Sequence, residues 1–307
     1  MRILITGGTG YIGSAVLESA LRAGHEVTAL VRSPLRAGRA EEIGATIVTA
    51  DLGNPATYAG AVDGFDAYVH AAFEPSAEGV AVERTALDTL LAAAARAARP
   101  VPFVYTSGIW VLGNTHEPAT EESPLNPARL VAWRPDHEQR VLSAAPEVRP
   151  IVIRPGVVFG GGRGLVTDFF KGADKGLIRV IGNGENRWPM VYTKDLAELY
   201  LLTLGRDEAS GVYHACTDHD ERVNDVVQAI VTHTPNRPEV RHVPLAEAQA
   251  KLGDVAEALA LDQVVRSPRS RALGWTPAAG PVVDSVRRLH QEWKSEASAK
   301  VARQMGE

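Results

Sequence analysis

Near the start of the chain, short uninterrupted apolar runs alternate with stretches in which apolar residues recur every three or four positions. The runs at Arg2 to Ile5, Glu26 to Val31, Thr46 to Ala50, Ala67 to His70 and Pro102 to Tyr105 predict strands buried on both faces. Between them, helical spacing predicts a helix ending at Ala23 and an Ala-rich helix from Val80 to Ala98, with Leu87, Leu90, Leu91 and Ala94 on its core stripe. A helix around Pro135 to Ala144 and a strand from Arg149 to Arg154 continue the series. This alternation predicts an α/β fold with a parallel sheet covered by helices on both faces. From residue 156 the pattern loses regularity among Gly160-Gly161-Gly162 and Gly182-Asn183-Gly184. The expected organisation is a regular α/β core over 1–155, rejoined by segments near 190–215, and a smaller lobe over 156–307. An amphipathic helix from Val282 to about Ala302 closes the chain.

Composition narrows the classes. The 307 residues carry a net charge of -5 with scattered arginines, which gives no basic stripe for nucleic acid. Cys216 is the only cysteine, so no internal disulfide and no thiolate metal cluster can form. No apolar run approaches the roughly 20 residues that span a bilayer. The expectation is a cytoplasmic protein with a small-molecule substrate, no membrane and no nucleic acid.

The densest chemical signal is Ile3-Leu4-Ile5-Thr6-Gly7-Gly8-Thr9-Gly10-Tyr11-Ile12-Gly13, a strand running through glycines into a helix. Gly7 permits the turn, Gly10 lets backbone approach a pyrophosphate, and Gly13 lets the helix pack closely. The helix N-terminus then faces phosphate with its unpaired N–H groups. The second strand ends Val31-Arg32-Ser33, with no carboxylate to hold a ribose diol. Arg32, Ser33 and Arg36 instead suit a 2′-phosphate, which favours NADP(H), with NAD(H) the alternative. Asp51 and Leu52 follow the third strand, where the carboxylate can accept from an adenine amino group or cap a helix beginning near Asn54. Ala71 and Ala72 leave room for a ribose, and His70 is read as a packed strand residue. His214, Asp218, His219 and Asp220 cluster in sequence, but loop solvation accounts for them and no metal site is expected.

Together these segments resemble the short-chain dehydrogenase/reductase superfamily, in its extended and atypical branch of epimerase- and dehydratase-like members. The resemblance runs through Thr6 to Gly13, Asp51-Leu52, His70-Ala71-Ala72, Tyr105-Thr106-Ser107-Gly108 and Arg154-Pro155-Gly156-Val157-Val158-Phe159-Gly160. It continues through Met190 to Ala197, which includes Tyr192, and Leu273-Gly274-Trp275-Thr276-Pro277. It implies a doubly wound Rossmann sheet with cofactor contacts at Gly7, Thr9, Gly10, Tyr11, Ile12, Gly13 and Pro155, and a homodimer. The family's Tyr-x-x-x-Lys pair is absent. Anchoring on Glu138-Gln139 puts Leu130 at the tyrosine position and Arg134 at the lysine position, with Pro135 either starting or kinking the helix. Ser107 falls one residue before the expected serine, where it either polarises a carbonyl or caps the strand end. A family asparagine corresponds to Thr85. His137, one turn beyond Arg134, is either a proton relay or a partly exposed helix residue.

Three functions follow as expectations. The leading one is an NADP(H)-dependent oxidoreductase acting on a small carbonyl or alcohol, with Ser107 and Arg134 in the catalytic centre. The second is a non-catalytic dinucleotide sensor like the NmrA-type relatives. The third is a nucleotide-sugar epimerase or dehydratase using NAD.

Overall fold

The computed structural model describes residues 1–115 and 117–305, without the side chains of Arg36 and of residues 300–305. In chain order the strands are Arg2–Thr6 (β1), Glu26–Val31 (β2), Thr46–Thr49 (β3), Ala67–His70 (β4), Val101–Thr106 (β5), Val148–Pro155 (β6), Val157–Phe159 (β7), Leu177–Ile181 (β8), Arg187–Tyr192 (β9), Gly211–Ala215 (β10), Asp220–Arg222 (β11) and Glu239–Val243 (β12). The α-helices are Tyr11–Arg22 (α1), Gly38–Glu42 (α2), Gly79–Ala94 (α3), Arg134–Leu142 (α4), Leu165–Asp174 (α5), Thr193–Gly205 (α6), Val223–His233 (α7), Leu245–Leu252 (α8), Asp254–Leu259 (α9), Pro268–Ala272 (α10) and Val282–Met305 (α11).

Seven strands form one parallel sheet in the order β10-β6-β5-β4-β1-β2-β3. Strand alternation feeds two cores. Ile3 and Ile5 pack with Val16, Leu17, Leu196 and Leu199 of α1 and α6, while Leu4 faces Leu87, Leu90 and Val141 of α3 and α4. Burial on both faces explains why the inner strands read as unbroken apolar runs; β3, expected to be buried likewise, is the edge strand, with Thr46 and Thr49 exposed and Ile47 and Val48 only half-buried. All seven carboxyl ends therefore lie along one edge, and the order reverses between β1 and β4, the place where such sheets take ligands. Beyond Pro155, β7, β9 and β11 make a three-stranded sheet, β8 and β12 a parallel pair, and α5, α7 and α11 enclose a third core with them.

Element ends shift by a few residues from the expected bounds. The Ala-rich helix stops at Ala94 rather than Ala98: the N–H groups of Arg96 and Ala97 donate three residues back, to Ala93 and Ala94 (3.1 Å each), which tightens and ends the last turn. Pro135 lies in the first turn of α4, so it starts the helix rather than kinking it. Among the described residues no helix is long and apolar enough to cross a membrane.

Candidate functional site

The glycine loop is held by contacts that exclude side chains. Gly7 has φ +74°, and a Cβ there would lie 2.5 Å from the Ala71 carbonyl oxygen at the end of β4. At Gly13 a Cβ would lie 2.1 Å from the Gly7 carbonyl oxygen, so α1 rests directly on the turn. Gly10 is the N-cap of α1, its N–H donating to Gly7 (2.8 Å). No side chain caps α1 and no acidic residue occupies its first turn, which leaves the positive end of the helix uncompensated. That arrangement fits a pyrophosphate. Ile12 packs onto the core, and the Tyr11 hydroxyl donates to the Gly160 carbonyl (2.7 Å), tying the loop to the segment after β7. Thr9 is half-buried in the same loop.

The adenosine end is more open. Arg32 leaves the end of β2 with an exposed side chain and pairs with Glu74 (2.7 Å). Ser33 precedes a short 3-10 turn at Pro34–Arg36 without capping it, and the Arg36 side chain lies outside the described residues. Asp51 does not cap a helix: its Oδ1 accepts from the Gly53 N–H (2.9 Å), while Asn54 stands at the N-cap of the 3-10 turn Pro55–Thr57. Leu52 packs against the core beside it. Ala71 and Ala72 follow β4 against Gly7, and Pro155 ends β6 opposite Ala215 of β10.

At the ends of β5 and α4 the polar groups are committed to one another. Arg134 Nη1 donates to the Tyr105 hydroxyl (3.1 Å) and to the Thr106 carbonyl (3.1 Å), and its guanidinium lies over the Trp133 ring at 4.4 Å. The Tyr105 hydroxyl donates in turn to Glu83 Oε1 (2.6 Å). Tyr105 is fully buried, and burial pushes its phenol up, so it is not an exposed proton donor. Glu83 is also buried; burial raises its carboxyl to about 7 against the opposing pull of Arg134. Ser107 is buried and its hydroxyl donates to Glu138 Oε1. Glu138 is held by Arg154, whose Nη2 lies 2.5 Å from Oε2. The serine hydrogen is thus occupied.

Two histidines differ from their expected settings. His137 is 5 % exposed rather than half-open, edge-on to Trp133, and burial followed by the Arg134 charge lowers its pKa. Of the His214, Asp218, His219 and Asp220 cluster, the last three are exposed, as loop solvation expects, with Asp218 and Asp220 paired to Arg271 (2.9 Å) and Arg266 (2.8 Å), whereas His214 is fully buried within β10. His70, by contrast, accords with a packed strand residue: Nδ1 meets Thr6 Oγ1 at 2.7 Å, and burial lowers its pKa to about 3. Among the described residues no group of three or more such side chains is placed to hold a metal ion.

The sequence of residues 3–216 matches the NAD dependent epimerase/dehydratase family. The chain belongs to that family. It is 30% identical to an uncharacterized protein of Schizosaccharomyces pombe over 284 residues, covering 90% of this chain and 95% of the relative. Its fold is similar to that of human epimerase family protein SDR39U1, solved with NADPH, at a TM-score of 0.81 and 23% identity, covering 95% of this chain and 99% of that one. It is similar also to UDP-glucose 4-epimerase of Thermus thermophilus in complex with NAD, at a TM-score of 0.80 and 23% identity, over 96% and 99% of the two chains.

Within this epimerase/dehydratase-family chain, the buried Glu83–Tyr105–Arg134 chain is a feature that the sequence reading missed. A signal is present: Glu83 shares a helical stripe with the buried Leu87, Leu90 and Ala94, and a carboxylate on an apolar stripe needs a partner.

Proposed function

We propose that the chain is an NADP(H)-dependent oxidoreductase acting on a small carbonyl or alcohol. The observation that carries this reading is Arg134, a guanidinium fixed by Tyr105 and Thr106 at the carboxyl end of β5, 14 % exposed along its side chain. Arginine cannot act by giving up a proton, but it supplies a permanent positive charge. The cofactor, held by the glycine loop and the α1 N-terminus, supplies or accepts hydride when bound. Arg134 stabilises the charge on the substrate oxygen, and water supplies or removes the proton. Ser107, with its hydrogen given to Glu138, accepts from the hydroxyl of an alcohol substrate and gives no hydrogen bond to a carbonyl oxygen. Arg32 favours the 2′-phosphate of NADP(H); of the two similar folds, the human one carries NADPH and the Thermus one NAD, so the choice rests on Arg32. Binding would require Arg32 to share its guanidinium with, or release it from, Glu74.

One observation favours a second reading, a dinucleotide sensor without turnover: Tyr105 is sealed and Ser107 is committed, so neither side chain at the end of β5 is free to donate a proton. Calorimetric titration with NADP⁺, NADPH, NAD⁺ and NADH, followed by a carbonyl-reduction screen, separates the two. The oxidoreductase reading expects tight NADPH binding and turnover with at least one carbonyl. Differential binding of NADP⁺ and NADPH with no turnover would replace it by the sensor.

A further inference from the structure

A cavity of 480 Å³ opens between β8, β12, α5 and α8, within the range of about 300–1,000 Å³ typical of small-molecule sites. Its walls include Phe169, Leu177, Ile181, Trp188, Val243 and Leu259. Strand alternation makes this face: Ile178 and Val180 of β8 turn into the core, so Leu177, Arg179 and Ile181 turn to the cavity. No lining side chain is Ser, Thr, Asn, Gln, Tyr or His. The one indole N–H, on Trp188, is already given to the Leu259 carbonyl (3.1 Å), and the ring stacks on Phe169. A nucleobase, with several donors and acceptors to satisfy, finds no side-chain amide or hydroxyl there.

The charges at the rim are uneven. Asp168 pairs with Lys171 (2.8 Å) and Glu247 with Lys251 (2.9 Å), which occupies both carboxylates. The strand register sets Arg179 directly beside Arg241, and both line the cavity. Like charges side by side on adjacent strands, about 4.8 Å apart, repel. Neither arginine has an ion pair among the described residues; Arg241 exerts only a minor through-space pull on Glu247. An anion between the two guanidiniums would relieve the repulsion and use their donor geometry. The cavity lining begins at Leu165, one residue after Gly164, where a Cβ would lie 2.9 Å from the Tyr11 ring.

We infer that this cavity binds an apolar chain or ring bearing a carboxylate, with the anion between Arg179 and Arg241. The ligand's identity as substrate rests on the oxidoreductase reading; its binding does not. The test is calorimetric titration of the whole chain with decanoate, decanol, decyltrimethylammonium and uridine diphosphate, with Trp188 fluorescence as a second readout. Decanoate is expected to bind saturably, at least about tenfold tighter than decanol, with the cation and the nucleotide failing to compete. In the Arg179→Ala/Arg241→Ala double variant, at exposed positions, decanoate affinity should fall about tenfold while decanol is unchanged. Equal binding of decanoate and decanol, competition by either control ligand, an unaltered double variant, or no saturable binding would each overturn the inference. A parallel NADPH titration keeps the two readings apart: loss of cofactor binding with decanoate binding intact defeats the oxidoreductase alone.

Discussion

At the glycine loop the chain builds its candidate site from backbone, whereas at the end of β5 and the start of α4 it builds it from side chains that hold each other. Gly7 and Gly13 leave no room for a Cβ, and the consequence is local: a strand, a turn and an uncapped helix end. The other end depends on partners distant in sequence, Glu83 with Tyr105 and Arg134, and Ser107 with Glu138 and Arg154. Backbone geometry survives changes elsewhere in the chain, but a side-chain network must be rebuilt when one member changes. In this chain Arg134 is fixed in place by its neighbours Tyr105, Thr106 and Trp133.

The largest expected effect breaks the side-chain end. Glu138→Ala strands the buried Arg154 guanidinium and should cost about 3–5 kcal/mol in urea denaturation, while the glycine loop keeps its geometry. A loss below about 1 kcal/mol would mean that the network is not what holds this end. The next effect is a pH dependence. Glu83 has its pKa raised from 4.5 to about 7, so the folded state holds a proton that the unfolded chain releases. Its contribution is complete below the unfolded value and is lost as pH rises through the folded one, about 3 kcal/mol in all. Glu83→Gln should remove that decline between about pH 5 and 7, and an unchanged stability profile would contradict the assignment.

Substitution at the backbone end should act on binding. Gly13→Ala places a Cβ against the Gly7 carbonyl and should weaken NADPH binding about a hundredfold by calorimetry, without altering the Glu83 pH dependence. The smallest effect is expected at Arg32. Arg32→Ala should weaken NADPH about tenfold and leave NADH unaffected; equal losses for both would make Arg32 a surface ion pair with Glu74 only.

The same contrast explains what is legible in the sequence. Two-faced burial writes β1, β4 and β5 as apolar runs, and steric exclusion writes the loop as glycines at fixed spacing, so both can be read in order along the chain; the edge strand β3 reads the same way although it is only half-buried. Asp51 reads equally as a helix cap because an Asx turn uses the same residue type, and only the backbone of Gly53 decides between them. His137 and His214 read as exposed because their spacing says nothing of Trp133, or of the Arg266 carbonyl and the Arg154 guanidinium that meet the His214 ring. Tyr105 reads as a strand residue, and its link to Glu83 spans 22 positions that no periodicity connects. The facing of Arg179 and Arg241 depends on the register of two strands about 60 residues apart, which the pattern of either strand leaves open.

The most direct measurement of the central claim is NADPH oxidation with a panel of small aldehydes and ketones, comparing the wild-type chain with Arg134→Ala. If Arg134 stabilises the substrate oxygen, turnover should be present and should fall about a hundredfold in the variant, with NADPH affinity changed by less than about threefold. Turnover that survives the substitution, or bound NADPH that no carbonyl consumes, would contradict it.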